Sequence, residues 1–353
     1  MERPLRLPGL IDVHTHLRVP GGGHKEDFST GTAAALAGGF TLILGMPNTS
    51  PPLSAPDVLE TTRQEAQQAI YCDVGLFAGA RPDQLDQLPE LAEGAVGLKI
   101  YHNETFGPLR VEDLRDLVTC FERWPRHKPI AMHAEEDSVA IGIGLAAAYQ
   151  RHVHFCHISR KVEIELIAAA KAQGLPVTCE ATPHHLFLTK TDVERLGPLG
   201  DMRPPLAEKA DQDALWDHLN TTLDCIATDH APHTIEEKNS DSSPPGVPGL
   251  EASLPLMLTA VNEGRLTLDR LIELMVTNPR RIYQLPEQPD TYIEVDAETR
   301  YALPEHGYQT KCDWSPFAGI TVSGRVERVV LRGTVVYEEG RLCVEPGFGK
   351  IIP

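Results

Sequence analysis

Two histidines separated by a single residue give the first indication of chemistry in this chain. Residues 12–16 read DVHTH and follow the apolar segment 9–11, which places His14 and His16 at the end of a candidate strand. On a strand, residues two apart project from the same face, and neutral imidazoles are good zinc ligands. The pair therefore predicts a metal site, although a packed or solvent-bridged histidine pair has the same spacing.

Four more side chains able to bind or bridge metals follow apolar runs further along: Lys99 in 96–100, His133 in 129–133, His157 in 153–157 and Asp229 after 225–228. Barrel enzymes carry their chemistry at the ends of successive parallel strands. Each residue alone has an ordinary alternative. Lys99 could extend out of a strand to solvent, His133 could be a hydrogen-bonded core residue, and Asp229 could cap a helix. Because they occur in order, one per strand, the set predicts a binuclear metal hydrolase.

Lys99 requires its own explanation, because an ammonium group would be repelled by two divalent cations. The amine is therefore expected to be neutral and condensed with carbon dioxide, since the resulting carbamate has two oxygens that can bridge two metals. Two Zn²⁺ ions about 3.5–4 Å apart, with the carbamate, one aspartate and one hydroxide, leave a net charge of about plus one. Such a site can accept an anionic substrate.

The pattern of the remaining sequence predicts the fold that positions these residues. Strand-like runs lie near 10–16, 40–46, 71–78, 95–101, 129–133, 153–158, 175–180 and 224–229, and amphipathic segments such as 56–69, 111–123 and 161–173 lie between them. This alternation predicts a parallel sheet, and 353 residues exceed the roughly 250 of a typical barrel. We expect an α/β fold, a (β/α)₈ TIM barrel over 9–284. A small β appendage would combine 1–8 with 285–353, mainly from the C-terminal segment.

The chain resembles the dihydroorotases of the amidohydrolase superfamily, most closely those that form a domain of the animal multifunctional pyrimidine-synthesis protein. The resemblance runs nearly end to end and is carried by 9–18 (GLIDVHTHLR), 45–49 (GMPNT), 99–106 (KIYHNETF), 132–135 (MHAE), 156–157, 183–185 and 228–248. One departure is the start, because relatives usually have a β segment before the HxH strand. This abrupt start suggests a domain of a longer polypeptide or one that has lost its N-terminal strands.

The resemblance implies a role for each metal-binding residue. His14, His16, Asp229 and carboxylated Lys99 would hold one zinc ion, and Lys99, His133 and His157 would hold the other. Asp229 would also be the catalytic proton shuttle. A third metal ion is a further expectation, with Cys156 and Glu180 as its candidate ligands because both end neighbouring strands at the same barrel face.

The resemblance also implies the substrate contacts, which it assigns to Arg18, Asn48, Arg203, His233 and Pro245. A guanidinium group suits a substrate carboxylate because its planar fork forms two parallel hydrogen bonds. Thr105 and Phe106 would belong to a mobile lid that excludes water, whereas the ordinary alternative is a simple β-to-α connection. His102 and Gly107-Pro108 depart from the family pattern and put the closure of this loop in question.

The function implied is reversible hydrolysis of dihydroorotate to N-carbamoyl-L-aspartate, the third step of de novo pyrimidine biosynthesis. A hydantoinase or allantoinase is the alternative within the enzymes, because it would share the metal ligands, and Arg18, Asn48 and Arg203 separate the two. A non-catalytic scaffold is the alternative from another class. It is disfavoured because no metal ligand has been lost.

Composition sets limits on partners and location. A net charge of −18 excludes nucleic acid as a partner. Because this charge also repels a dicarboxylate substrate, the substrate must be attracted by positive groups at the site itself. The seven cysteines show no CxxC spacing, which indicates a reducing compartment. No secretory or membrane-spanning segment is visible. We therefore expect a cytoplasmic enzyme with a small-molecule substrate, a homodimer, and a candidate domain of a larger polypeptide.

Overall fold

A computed structural model describes residues 4–103 and 107–353. The first strand, β1 (Leu5–Pro8), lies outside the barrel. The barrel strands are β2 (Leu10–Thr15), β3 (Phe40–Gly45), β4 (Asp73–Leu76), β5 (Ala78–Gly79), β6 (Leu98–Tyr101), β7 (Ile130–His133), β8 (Val153–Phe155), β9 (Val177–Ala181) and β10 (Cys225–Ile226). They pair in parallel and in chain order, with β4 and β5 forming one interrupted strand. The ring closes where Thr15 bridges His230. Together with the solved structures compared below, this confirms the predicted barrel.

Helices cover the outside of the barrel and connect its strands. They are α1 (Phe28–Ala37), α2 (Pro56–Ala69), α3 (Leu88–Gly94), α4 (Leu114–Arg123), α5 (Asp137–Tyr149), α6 (Lys161–Ala172), α7 (Pro183–Phe187), α8 (Asp192–Leu196), α9 (Lys209–Asp217), α10 (Ile235–Lys238), α11 (Leu250–Asn262), α12 (Leu268–Ile272) and α13 (Asn278–Tyr283). Short 3₁₀ helices span Pro82–Gln87 and Gly197–Gly200, and a π-helical turn spans Glu273–Thr277. Local sequence explains several starts. Asp27 caps α1 by accepting from Thr30 N, and Pro56 begins α2.

The strands are apolar because both of their faces are covered. Every residue of β2 and β3 is buried, as expected for parallel strands with helices outside and side chains inside. Ile11, Leu42 and Phe77 belong to one cluster inside the barrel. Polar side chains concentrate toward the carboxyl ends of the strands, where loops replace the apolar filling.

The appendage is an antiparallel sheet in the order β1, β11 (Tyr292–Ala302), β12 (Thr321–Leu331), β13 (Thr334–Glu338) and β14 (Arg341–Leu342). One N-terminal strand therefore remains in it, paired with β11. The last strand, β15 (Ile351–Ile352), instead pairs in parallel with β4 of the barrel. The C-terminal residues thus return to the barrel. No helix among the described residues combines the length and apolar character needed to cross a membrane.

Candidate metal centre and substrate pocket

The structure brings all six predicted metal-binding residues to the carboxyl ends of the barrel strands. They are buried: His14, His16, Lys99, His133, His157 and Asp229. Asp229 Oδ1 lies 3.2 Å from His14 Nε2 and 3.0 Å from His16 Nε2, and His133 Nδ1 lies 2.8 Å from His157 Nε2. His14, His157 and Asp229 each offer a ligand atom within 4.8 Å of the others. Residues from five separate strands therefore converge on one point.

The backbone at this point is strained. Arg18, His157 and Asp229 have φ angles of 62°, 35° and 46°, in the left-handed region that costs about 1–3 kcal/mol for a residue with a side chain. Such angles persist only where the surrounding contacts enforce them. The positions of these three side chains are therefore set by the tertiary fold.

Buried partners orient the two histidines of the HxH motif. His14 Nδ1 lies 2.5 Å from Glu180 Oε1, and His16 Nδ1 lies 2.8 Å from Asn48 Oδ1. Because a carboxylate and an amide oxygen only accept hydrogen bonds, each Nδ1 donates, which leaves Nε2 as the atom that can bind a metal ion. Both Nε2 atoms face Asp229, which is the arrangement that metal-binding histidines adopt.

The charges of the cluster also suit a cation. Burial opposes protonation of His14, as does Lys99, but Asp229 and Glu180 outweigh both and raise the His14 pKa to about 10. Burial lowers the pKa of His16 to about 4 and holds that of His157 well below its usual value. His16 and His157 are thus neutral, whereas Asp229 and Glu180 favour a positive charge at His14, which either a proton or a metal ion on its Nε2 can supply. The donor set of the cluster fits a divalent metal ion.

Lys99 is completely buried, and its Nζ lies 2.9 Å from Cys156 Sγ, the only hydrogen-bond partner it has in the described part of the chain. A buried ammonium without a carboxylate partner is costly. Conversion to a carbamate would replace the ammonium group with an anion that metal ions can neutralise, and would supply bridging oxygens. The burial of Lys99 close to His14 and His133 therefore fits the predicted modification.

Cys156 and Glu180, the candidate ligands of an extra metal, lie together with His14 within ligand distance of one another. However, both carboxylate oxygens of Glu180 already accept hydrogen bonds, from His14 and from His154. In this arrangement Glu180 orients His14. An extra ion there would have to displace these bonds.

The predicted substrate-binding residues line a cavity of about 520 Å³ that opens over the cluster. Arg18 is partly buried, desolvation lowers its pKa to about 10, and it lies 3.0 Å from His233 Nε2. Asn48 and Pro245 also line the cavity. Arg203 lies at its rim, where its half-exposed side chain pairs with Asp201 at 3.2 Å. Among the described cations that line the cavity, Arg18 and Lys25 are partly buried, whereas Arg203 is exposed.

Lys238 is a functional candidate that the sequence did not reveal. Its ammonium group is buried behind the cavity wall and donates to the carbonyl oxygens of Asp201, Pro244 and Gly246 at 3.0, 2.9 and 3.2 Å. Gly246 allows its own segment to pack closely against Ala231, because a Cβ at position 246 would lie 2.6 Å from Ala231 O. Lys238 thus joins the segment before Arg203 to the segment that carries Pro245. A lysine at the end of the short polar helix α10 gives no sequence signal of this role.

Two aromatic residues were also missed. Trp314, from the C-terminal segment, donates to His233 O at 2.8 Å. Tyr101 lines the cavity, and its buried hydroxyl has no hydrogen-bond partner among the described residues. Its position two residues after Lys99 on β6 was the available signal. The predicted lid residues Thr105 and Phe106 lie outside the described residues.

Comparison with known sequences places these features in context. Residues 5–289 match the amidohydrolase family. The multifunctional protein CAD of Squalus acanthias is 52% identical over 98% of this chain, and a dihydroorotase of Pyrococcus furiosus is 33% identical over 98% of it. The chain spans 15% of the length of the first relative and 84% of the second.

Solved structures share the whole architecture. An L-hydantoinase (dihydropyrimidinase) from Arthrobacter aurescens superimposes with a TM-score of 0.93 at 26% identity, covering 99% of this chain and 88% of that one. An inactive dihydroorotase-like domain of a Chaetomium thermophilum CAD-like multifunctional protein gives 0.85 at 29% identity, covering 100% of both chains.

Proposed function

Because this chain belongs to the amidohydrolase family, we propose that it is a dihydroorotase that interconverts dihydroorotate and N-carbamoyl-L-aspartate. The observation that carries the proposal is one cavity that holds both the cluster of metal-binding residues and the partly buried guanidinium of Arg18. The identity to a dihydroorotase over most of its length supports the same reaction, as the resemblance in the sequence predicted.

His14, His16 and Asp229 would hold one zinc ion, His133 and His157 the other, and carboxylated Lys99 would bridge them. When bound, the two ions polarise the amide carbonyl and lower the pKa of the attacking water. The fixed Nε2 atoms of His14 and His16 support this assignment. A third ion at Cys156 and Glu180 is a further prediction, and metal analysis of the purified chain tests both numbers.

Asp229 would accept the proton of the attacking water and return it to the leaving nitrogen. Burial raises its pKa, but His14 and His16 outweigh burial and hold the pKa well below the usual value. The carboxylate is therefore ionised, which is the form that a proton acceptor must have. We expect Asp229→Ala to lower turnover by about 10²–10⁴-fold, the usual contribution of such a group, while carbamoyl aspartate still binds. Retained turnover would contradict this role.

Arg18 would pair with the substrate carboxylate, with Asn48, His233, Arg203 and Pro245 completing the subsite. Arg18 Nε donates to Pro232 O at 3.1 Å and its Nη2 lies 3.0 Å from His233 Nε2, so two contacts fix the guanidinium plane at the cavity wall. Burial and the neighbouring Arg18 lower the His233 pKa to about 2, so His233 is neutral and can hydrogen bond without adding charge. The lid formed by Thr105 and Phe106 stays a prediction.

A hydantoinase is the second candidate, favoured by the TM-score of 0.93 to an L-hydantoinase. The deciding experiment compares cyclisation of carbamoyl aspartate with hydrolysis of an uncharged hydantoin by the same zinc-loaded protein. We expect turnover of the carboxylate substrate alone. Activity on hydantoin alone would overturn the proposal, and two bound zinc ions without either activity would favour a non-catalytic role like that of the inactive domain.

The surrounding assembly follows from the relatives and the surface. Since relatives are parts of multifunctional proteins, we propose that this barrel and its appendage, 9–284 with 1–8 and 285–353, work as one domain of such a polypeptide. A homodimer is also proposed, because Leu114, Ile141 and Val162 expose apolar side chains on α4, α5 and α6. Light scattering on the purified chain tests the dimer. A cytoplasmic location stays a prediction.

A further inference from the structure

A line of buried polar side chains runs through the barrel from the metal cluster toward its opposite end. Glu180 Oε1 lies 2.5 Å from His14 Nδ1, and Glu180 Oε2 lies 2.9 Å from His154 Nε2. His154 Nδ1 lies 2.9 Å from Thr178 Oγ1, which in turn lies 2.9 Å from His152 Nε2. His152 immediately precedes β8, at the end of the strand opposite His157, so the line spans the strand.

The line is built by the alternation of two neighbouring strands. His154 on β8 is the register partner of Thr178 on β9. Residues two apart share a face, so His152 and His154 project toward the same side as Thr178 and Glu180. The line is therefore continuous by geometry and does not depend on loops.

The chemistry of each group determines which atom donates and which accepts in each hydrogen bond of the line. The Glu180 carboxylate can only accept, so His14 Nδ1 and His154 Nε2 both donate to it. With its hydrogen on Nε2, His154 accepts at Nδ1 from the Thr178 hydroxyl. Thr178 in turn accepts from His152 Nε2. Each of the four contacts in the line therefore joins one donor to one acceptor.

Core stability does not explain such a line. Its members lie beside an apolar layer, where Tyr283 packs edge-on against His154 with ring centroids 5.6 Å apart. Replacing two buried hydrogen-bonded groups with apolar groups of the same shape can be nearly neutral for stability. What an apolar pair could not do is hold the Glu180 carboxylate in one orientation. That orientation decides which nitrogen of His14 faces the metal cluster.

We propose that His154 is a positioning residue of the metal centre, which with Thr178 fixes Glu180 and so presents His14 Nε2 to the metal. This inference rests on the proposed zinc-dependent function. It assigns a role to residues on the far side of Glu180 from the ligands, and those residues touch neither metal nor substrate.

The test is the zinc affinity of purified variants, measured by competition with a chromophoric chelator. His154→Leu should weaken zinc binding by about 10–100-fold, the usual cost of losing an outer partner of a metal ligand. His154→Gln should restore most of the affinity, because the glutamine amide nitrogen can take the place of Nε2 and donate to Glu180. Thr178→Val should weaken binding less than His154→Leu, and Thr178→Ser should match the unmodified chain.

Tyr283→Phe is the matched control, because it removes a hydroxyl from the same layer that has no hydrogen-bond partner in the described structure. It should leave zinc affinity unchanged. Equal affinity in His154→Leu and Tyr283→Phe overturns the inference, as does His154→Gln binding as weakly as His154→Leu. If His154→Leu does not fold, the Thr178→Val and Thr178→Ser pair decides alone. An unmodified chain that binds no zinc refutes the proposed function itself, and this inference with it.

Discussion

The metal-binding floor of the cavity and the wall that faces it are built in different ways. His14, Lys99 and His133 project from barrel strands, and buried side chains such as Glu180 fix the orientation of the ligands. The wall around Arg18 and His233 consists of loops. Backbone carbonyl contacts hold these loops through Lys238 and Trp314. The difference separates two tasks, since the floor would control metal binding and the wall would control recognition of the substrate carboxylate.

This separation predicts that floor variants lose metal, whereas wall variants keep it and lose substrate affinity. Lys99→Ala should give the largest effect, because the carboxylates of Asp229 and Glu180 in the described cluster are already engaged by histidines. We expect bound zinc well below two per chain and turnover reduced by at least about 10³-fold, since two-metal chemistry contributes several kcal/mol. Lys128→Ala, a partly buried lysine that donates to Ala95 O, is the control. Normal zinc content with normal turnover would refute the bridge.

Arg18→Lys should give the next largest effect, and it should reduce substrate affinity as expected of a wall residue. An ammonium group conserves the charge but cannot form the bidentate pair, so the KM for carbamoyl aspartate should rise by about tenfold, the equivalent of one charged hydrogen bond. Zinc content should not change. Arg195→Lys, an exposed arginine on α8, is the matched control. An unchanged KM would remove Arg18 from the subsite and revive the hydantoinase alternative.

Lys238→Met should give a smaller effect of the same kind. Methionine keeps most of the side-chain length but donates nothing to the three carbonyl oxygens, so the wall segments loosen around Pro245. We expect KM to rise several-fold. A charged hydrogen bond contributes roughly 1.5–3 kcal/mol, and only part of this free energy would affect substrate binding. Zinc affinity and kcat should change little, and the exposed Lys209→Met should change nothing. Loss of zinc in Lys238→Met would break the separation between floor and wall.

The last prediction concerns stability alone, which has the smallest expected effect on activity, and tests how the C-terminal segment docks behind the wall. Glu251 on α11 accepts from the backbone of Gln309 and Thr310, and burial raises its pKa from 4.5 to about 7. Between these values the folded chain binds more protons than the unfolded chain. Stability therefore falls as pH rises through this window.

Glu251→Gln should remove this part of the pH dependence, worth up to about 3 kcal/mol for the full shift. The measurement is the urea midpoint of both proteins at about pH 5 and about pH 8, outside the steepest part of the window. An equal fall with pH in both proteins would show that another group titrates.

Residue type and spacing determined the barrel, its strand ends and the six metal-binding candidates. The sequence achieved this because the hydrophobic period is local and each ligand directly follows an apolar run, as with His133 at the end of β7. The helix from 56 to 69 was likewise predictable, since Pro56 starts it and its apolar spacing is helical. The barrel then brings the strand ends together by its geometry alone.

Only the tertiary structure decided how those residues are oriented. Glu180 contacts His14 across 166 residues of chain, so the sequence could suggest Glu180 as a metal ligand but not as the partner that fixes His14. Lys238 and Trp314 gave no signal, because a lysine bonded to backbone carbonyls can serve any loop with the right shape. Donor and acceptor partners far apart in the chain depend on the packing of the whole barrel, which a local pattern does not encode.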